Sequence, residues 1–354
     1  MNKKHNKKMV NLGLQGGGSH GAFTWGVLDY LLEEGSLDIE GISATSAGSM
    51  NAVVVAHGLQ VGGREGGRAA LEKFWADVSA AGVWCNPVKS MPWEQPGPGS
   101  WDPSHTPGYL LFDWFTRLFS PYDINPLNFS PLRDILNSSV DFERLAKSGD
   151  TKLFINATNV RTGRIRVFGN AELTSDSVMA SACLPQFFQA VCIDGDYYWD
   201  GGYRGNPSIF PLIYGTNSHD VIIVHINPIE HNELPRTSAE INDRLNEITF
   251  NGSMLSEFRA IAFVTRMIEN GWIKDEFKDR LKHMFMHSIR ADEALRDLGV
   301  ASKLLTDWAF LCDLRDRGRQ TCAAWLAKNY SAVGKKSSVD LGAEFLGDGI
   351  QAPK

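Results

Sequence analysis

The sequence predicts an α/β domain with a mainly parallel central sheet and additional C-terminal helices. Three stretches carry that prediction. Val10 to Leu14 is a short apolar strand that runs through a glycine loop, Gly16-Gly17-Gly18-Ser19-His20-Gly21, into a helix. Ile42 to Ala44 is a second short strand, turning at Thr45-Ser46-Ala47-Gly48 into a helix of small residues that ends near Ala56. Val221 to Ile226 is the most apolar strand of the chain, ended by Asn227-Pro228, and long helical stretches follow it. Strands that alternate with helices are the pattern of a sheet paired in parallel and covered by helices on its faces.

The elements follow in order. After the glycine loop, Trp25, Leu28, Leu31 and Leu32 recur at helical spacing until Gly35 supplies a stop. The loop amides therefore sit at a helix N-terminus, which attracts negative charge. A helix from Gly67 to Val78 carries Leu71, Phe74, Trp75 and Val78 on one face. From about residue 84 to 131 the composition changes. Trp84, Trp93, Trp101 and Trp114 are interleaved with many prolines, and Tyr109-Leu110-Leu111-Phe112 leads into Phe115 and Leu118-Phe119. Proline at this density predicts a mostly irregular insertion, serving either as ring-rich packing against the sheet or as a lid or lipid-contacting cap.

Leu132 to Leu145 reads as helix, and Lys152 to Ala157 and Ile165 to Phe168 read as an antiparallel or edge pair around the turn Arg161-Thr162-Gly163. A small-residue helix from Ser175 to Cys183 ends at Leu184-Pro185. Val191 to Ile193 and Tyr197 to Trp199 form a hairpin around Asp194-Gly195-Asp196, which delivers Asp200-Gly201-Gly202 at its end. Helices follow at 238–280 and 302–330, with a final strand at His283 to Ile289. The expected organisation is one catalytic domain over 9–330, including a helical C-terminal region over about 236–330. A basic tail at 1–8 and a frayed tail at 331–354 flank it.

Composition excludes several classes. A chain of 354 residues with 43% hydrophobic and 21% charged residues can bury a sizeable core. A net charge of -6 and a pI near 5.9 argue against a nucleic-acid surface, which needs a basic stripe. After the basic tail the apolar run is only Met9 to Leu14, too short for a signal-peptide core. No run of about 18 apolar residues is long enough to span a bilayer. Five cysteines without paired CxxC spacing suit buried thiols in a reducing, cytoplasmic setting. No cluster shows metal-ligand spacing, His283 and His287 included, and no cofactor is expected.

The chemistry centres on Ser46. A serine hydroxyl needs a base to take its proton and donors to hold the oxyanion formed on attack. A tight strand-to-helix turn pushes such a side chain into a cleft, and small neighbours let strand and helix approach, which gives the G-x-S-x-G pattern. Here the pattern is Ala44-Thr45-Ser46-Ala47-Gly48. The amides of Gly16, Gly17 and Gly18 can point at a developing oxyanion. The same loop also satisfies G-x-G-x-x-G, with Asp38 or Glu40 as a ribose-binding acid. A dinucleotide site, however, needs its acid at the end of the second strand, and here the acids precede Ile42 while the strand ends in the serine turn. A hydrolase is the preferred reading.

In that order, Gly16 to Gly21, Ala44 to Gly48 and Asp200-Gly201-Gly202 resemble the motifs of the patatin-like phospholipase family of lipid acyl hydrolases. The resemblance covers about residues 9 to 228 and implies a three-layer α/β/α patatin-like domain. It further implies a Ser46-Asp200 dyad without histidine, and an oxyanion hole of glycine-loop amides (Gly16, Gly17, Gly18) with Ala47. Gly21, Gly48, Gly201 and Gly202 complete the motifs. The substrate implied is an acyl lipid, in phospholipase A or lysophospholipase chemistry, with peripheral contact to a membrane surface. Two positions depart from the family: His20 stands where Arg or Lys is usual, and Ala44 where Gly is usual. Three alternatives are an acyltransferase on the same site, an α/β-hydrolase triad of Ser46, Asp200 and His225, and an interaction protein whose site has decayed.

Overall fold

A computed structural model describes residues 7–85, 101, 103–104, 106–147, 149–230 and 234–346. The chain runs β1 (Lys8–Leu14), α1 (Gly21–Glu34), β2 (Leu37–Ala44) and α2 (Ala47–Cys85). Four helices follow: α3 (Pro107–Leu118), α4 (Pro121–Ile124), α5 (Pro131–Ser139) and α6 (Phe142–Lys147). Then come β3 (Lys152–Asn159), β4 (Ile165–Gly169), α7 (Ser175–Ser181), β5 (Val191–Ile193), β6 (Asp196–Asp200) and α8 (Phe210–Gly215). The chain ends with β7 (Asp220–His225), α9 (Ser238–Glu269), β8 (Phe285–Arg290) and α10 (Trp308–Asn329).

The strands form one eight-stranded sheet in the order β5-β6-β3-β2-β1-β7-β8, with β4 also paired to β3. Pairing is parallel from β3 through β2, β1 and β7 to β8, and antiparallel where β4, β5 and β6 join. Val10, Leu12 and Leu14 of β1 and Val221 to Val224 of β7 are all buried, since helices cover both faces of the sheet centre. The prediction of a helix-flanked, mostly parallel sheet holds.

Because β1 and β2 are adjacent and parallel, the glycine loop and the serine turn leave the sheet side by side at its C-terminal edge. Register brings in the third motif. Ala44 of β2 faces Ile155 of β3, and two residues further along β3 Ala157 faces Asp200 of β6. Ser46, two residues past Ala44, thus stands at the same height as Asp200.

Several expectations needed correction. The two predicted helices at 46–56 and 67–78 lie on the two arms of α2, which breaks where Gly62 and Gly63 leave helical dihedrals. The proline-rich insertion is not mostly irregular where described: α3, α4 and α5 each begin with proline. At the first helical position proline loses no hydrogen bond and its fixed φ suits the helix, so these prolines start helices rather than prevent them. Residues 86–100, Trp93 among them, lie outside the described residues. The single helix expected at 132–145 is two, α5 and α6, because Val140 adopts an extended conformation between them.

The termini also differ from expectation. Lys8 begins β1, and its Nζ donates to the carbonyls of Tyr330 at 2.6 Å and Val333 at 2.8 Å. The segment expected to fray from Ser331 packs instead through residue 346. Val333 is fully buried, Phe345 meets Phe258 edge to face, and Ser338 N donates to the carbonyl of Met286 at 3.0 Å. Its Gly, Ser and Lys content hid a few apolar anchors. Residues 1–6 and 347–354 lie outside the described residues. Among those described, no helix is long and apolar enough to cross a membrane.

Candidate active site

Ser46 follows β2 directly and precedes α2, and its φ of 56° is in the left-handed region that side chains rarely occupy. This is the strained elbow that the A-x-S-x-G pattern predicts: the turn aims the side chain away from both elements. Ser46 is 8% exposed, so the hydroxyl sits in a narrow opening. The turn is fixed on both sides. Ser181, the last residue of α7, accepts from the Ser46 amide at 2.9 Å. Thr45 Oγ1 donates to the carbonyl of Gly205 at 2.6 Å, and Asn156 Nδ2 of β3 donates to the Ala44 carbonyl at 3.0 Å. Ala44 itself is fully buried.

The glycine loop lies against this elbow. A side chain at Gly16 would meet the Ser46 Cβ at 2.5 Å, so only glycine lets the two turns touch. Gly18 has φ +58°, and a Cβ there would stand 2.5 Å from the carbonyl oxygen of Lys303. Gly16 does not match its expected role as an oxyanion donor, because its N–H is committed to Asn206 Oδ1 at 2.6 Å. The amides of Gly17, Gly18 and Ala47 make no such bond to the protein among the described residues. Gly21 opens α1, Gly48 lies in the first turn of α2, and Gly201 and Gly202 form a short 3-10 turn after Asp200.

Asp200 is fully buried. Its Oδ1 accepts from the Gly202 amide at 2.7 Å, whereas Oδ2 has no aligned partner among the described residues. Burial pushes its pKa up to about 7, opposed by the Gly202 amide and by the nearby Ser46 hydroxyl. The Ser46 hydroxyl is thus near enough to act on the carboxylate. A carboxyl group poised near neutrality beside a strained serine can exchange a proton with it.

The histidines behave differently. His20 is buried, with Nε2 2.8 Å from Ser302 Oγ, and burial together with the charges of Lys303 and Arg317 lowers its pKa to about 3. It is neutral at neutral pH and brings no charge to the loop. His225 is buried against Phe345 and Phe258, and neither ring nitrogen has a hydrogen-bond partner among the described residues. Burial lowers its pKa to about 3. No hydrogen bond connects it to Ser46 or Asp200. His225→Ala is therefore expected to leave turnover per folded molecule within about twofold of wild type, measured on a soluble ester. A collapse comparable to that of Ser46→Ala would instead support the triad. His287 bonds Asp220 and Ser338 and ties down the C-terminal segment.

Sequence reasoning missed Gln15, Ser181, Asn206, Asn227 and Lys303. Gln15 Oε1 accepts from the Ile226 amide at 2.9 Å and the Asn227 amide at 3.1 Å, locking the loop to the end of β7. Two of these had a legible signal: Gln15 and Asn227 are polar residues just past buried parallel strands, where α/β sheets build their sites. The other three come from a helix end and from turns distant in sequence, and had none.

Fold and site together define an α/β protein built around a serine on a strand-to-helix elbow. The chain belongs to the patatin-like phospholipase family, whose profile matches residues 12–213, and it is by that membership a lipid acyl hydrolase. The match takes in the glycine loop, the serine turn and Asp200. Among solved structures the chain is similar to VipD from Legionella pneumophila, at 14% identity and a TM-score of 0.37, over 89% of this chain and 67% of that one. It is also similar to ExoU in its complex with SpcU from Pseudomonas aeruginosa, at 19% identity and a TM-score of 0.33 over 92% of this chain, spanning 60% of that one. At such distances neither likeness carries an argument about chemistry. No curated protein matches the chain.

Proposed function

We propose that the protein hydrolyses acyl esters of phospholipids or lysophospholipids through a Ser46-Asp200 dyad. Ser46 Oγ attacks the ester carbonyl while its proton passes to Asp200 Oδ2. The oxyanion is held by the amides of Gly17, Gly18 and Ala47. The alcohol leaves with the proton returned by Asp200, and water attacks the acyl-serine by the same route in reverse. The observation that carries this reading is the strained Ser46 turn beside a fully buried carboxyl group of raised pKa. A carboxylate is a weaker base than imidazole, and partial desolvation is what makes it adequate.

The insertion supports a lipid substrate. It exposes Leu110, Leu111, Trp114, Leu118, Leu127 and Phe129, an apolar face with aromatic rings suited to a headgroup boundary. Its base is joined to the loop that leaves α7: Gln189 Nε2 donates to the Asn125 carbonyl at 2.7 Å, and Tyr122 Oη accepts from the Ala190 amide at 3.2 Å. We read this face as the peripheral contact with a membrane surface. The test compares phosphatidylcholine vesicles with a water-soluble short-chain ester. Wild type is expected to release fatty acid from both, and a Leu111→Asp, Trp114→Asp double variant to lose roughly tenfold on vesicles alone. Equal loss on both substrates would remove the membrane role, and failure of wild type to cleave any member of a phospholipid and lysophospholipid panel would overturn the hydrolase reading.

A further inference from the structure

The geometry points to Lys303 as a positioning residue of the oxyanion loop, acting through Asn227 on the Gly16-Gly17 peptide. The inference rests on the hydrolase reading above and adds to it the source of the loop's polarisation. Lys303 lies in a 3-10 turn, Val300–Leu304, far from the catalytic motifs in sequence. Its Nζ donates to Asn227 Oδ1 at 2.9 Å, and Asn227 Nδ2 donates to the Gly16 carbonyl at 2.7 Å. That carbonyl belongs to the same peptide unit as the Gly17 N–H, one of the proposed oxyanion donors.

The physical consequence follows from how hydrogen bonds in a chain polarise one another. An ammonium on Oδ1 draws electron density through the Asn227 amide and makes its NH2 a stronger donor. The bond to the Gly16 carbonyl then polarises that peptide and makes the Gly17 N–H a stronger donor in turn. The relay costs nothing at the moment of reaction because it is already in place, which is the condition for effective stabilisation of developing charge. The Lys303 backbone carbonyl also lies close to Gly18, 2.5 Å from where a Cβ there would stand. His20, within the loop itself, is neutral at neutral pH and does not supply this charge. Burial lowers the Lys303 pKa while Glu247 and Asp243 oppose it, so arginine, which keeps its charge throughout, is the informative replacement.

The experiment compares Lys303→Met, Lys303→Gln and Lys303→Arg with wild type on 4-nitrophenyl butyrate, alongside thermal unfolding and the rate of labelling by a fluorophosphonate. Lys303→Met is expected to lower kcat and the labelling rate by roughly tenfold with KM within about twofold. Lys303→Gln, which keeps a donor without the charge, should fall between Met and wild type, and Lys303→Arg should recover most of the loss. Wild-type kcat in both the Met and Gln variants overturns the relay. So does a loss that follows the unfolding temperature, or an arginine variant no better than methionine. Fluorophosphonate labelling of Ser46→Ala at the wild-type rate would instead bring down the hydrolase reading itself, and so distinguishes the two failures.

Discussion

Ser46→Ala is expected to reduce ester turnover by roughly 10^3-fold or more and to abolish labelling by a fluorophosphonate, with the fold retained. The loss is large because no other group in the proposed dyad can form the acyl intermediate, so the amides of Gly17, Gly18 and Ala47 would be left to stabilise attack by water alone. Retention of the fold follows from what holds the turn. The elbow is fixed by backbone bonds and by the side chains of Thr45, Asn156 and Ser181, none of which involves the Ser46 hydroxyl. Alanine adopts the same left-handed turn at a similar cost to serine. Circular dichroism and the unfolding temperature check the fold, and intact mass after incubation checks the labelling. Equal labelling of wild type and variant would remove Ser46 as the nucleophile.

Asp200→Asn should cost turnover comparably while leaving stability equal or increased. The asparagine keeps an oxygen to accept from the Gly202 amide and offers its NH2 toward the Ser46 oxygen, but it cannot take the serine proton. The pH dependence is the sharper test. With a pKa raised to about 7, Asp200 is protonated below that value and serves as a base only above it. Turnover of wild type should therefore rise between pH 6 and 8 with half its plateau near 7, at about these values. Linkage gives the stability a definite sign as well. Between the unfolded value of 3.8 and about 7 the native state holds a proton that the unfolded state has lost, so wild type loses stability as pH rises through that window. A displacement of that size corresponds to roughly 4 kcal/mol at most. Asp200→Asn removes this dependence, so its unfolding temperature should overtake that of wild type toward pH 7. A wild-type profile flat from pH 5 to 8, or equal pH dependence of stability in both proteins, would reject the buried-base assignment.

Where the sequence was readable, it was readable for local reasons. The strand, glycine loop and helix around Gly16 to Gly21 are encoded by short-range apolar spacing and by residues whose backbone freedom is plain from their identity. The same holds for the Ser46 elbow and for the hairpin that delivers Asp200, whose turn residue Asp194 has a φ of 52°. The insertion is hard to read from composition because proline breaks a helix only at interior positions. Its effect depends on whether it stands inside a helix or at the first turn, and Pro107, Pro121 and Pro131 stand at first turns. The segment after Ser331 misled because composition averages over positions, and Val333, Leu341 and Phe345 are enough to anchor it.

The sequence by itself determined the alternation of strands and helices, the turn that carries Ser46, the order of the three motifs and, through them, the family. Each of these depends on residues within a few positions of one another. Only the tertiary structure decided which amides of the loop are free, since the Gly16 N–H is taken by Asn206 from 190 positions away. It decided that His20 and His225 stay neutral, because the burial that lowers their pKa values comes from elements remote in sequence. It also raised Asp200 toward neutrality and brought Lys303 to the loop. Charge state and hydrogen-bond partnership are properties of an enclosure, and the enclosure is assembled from the whole chain.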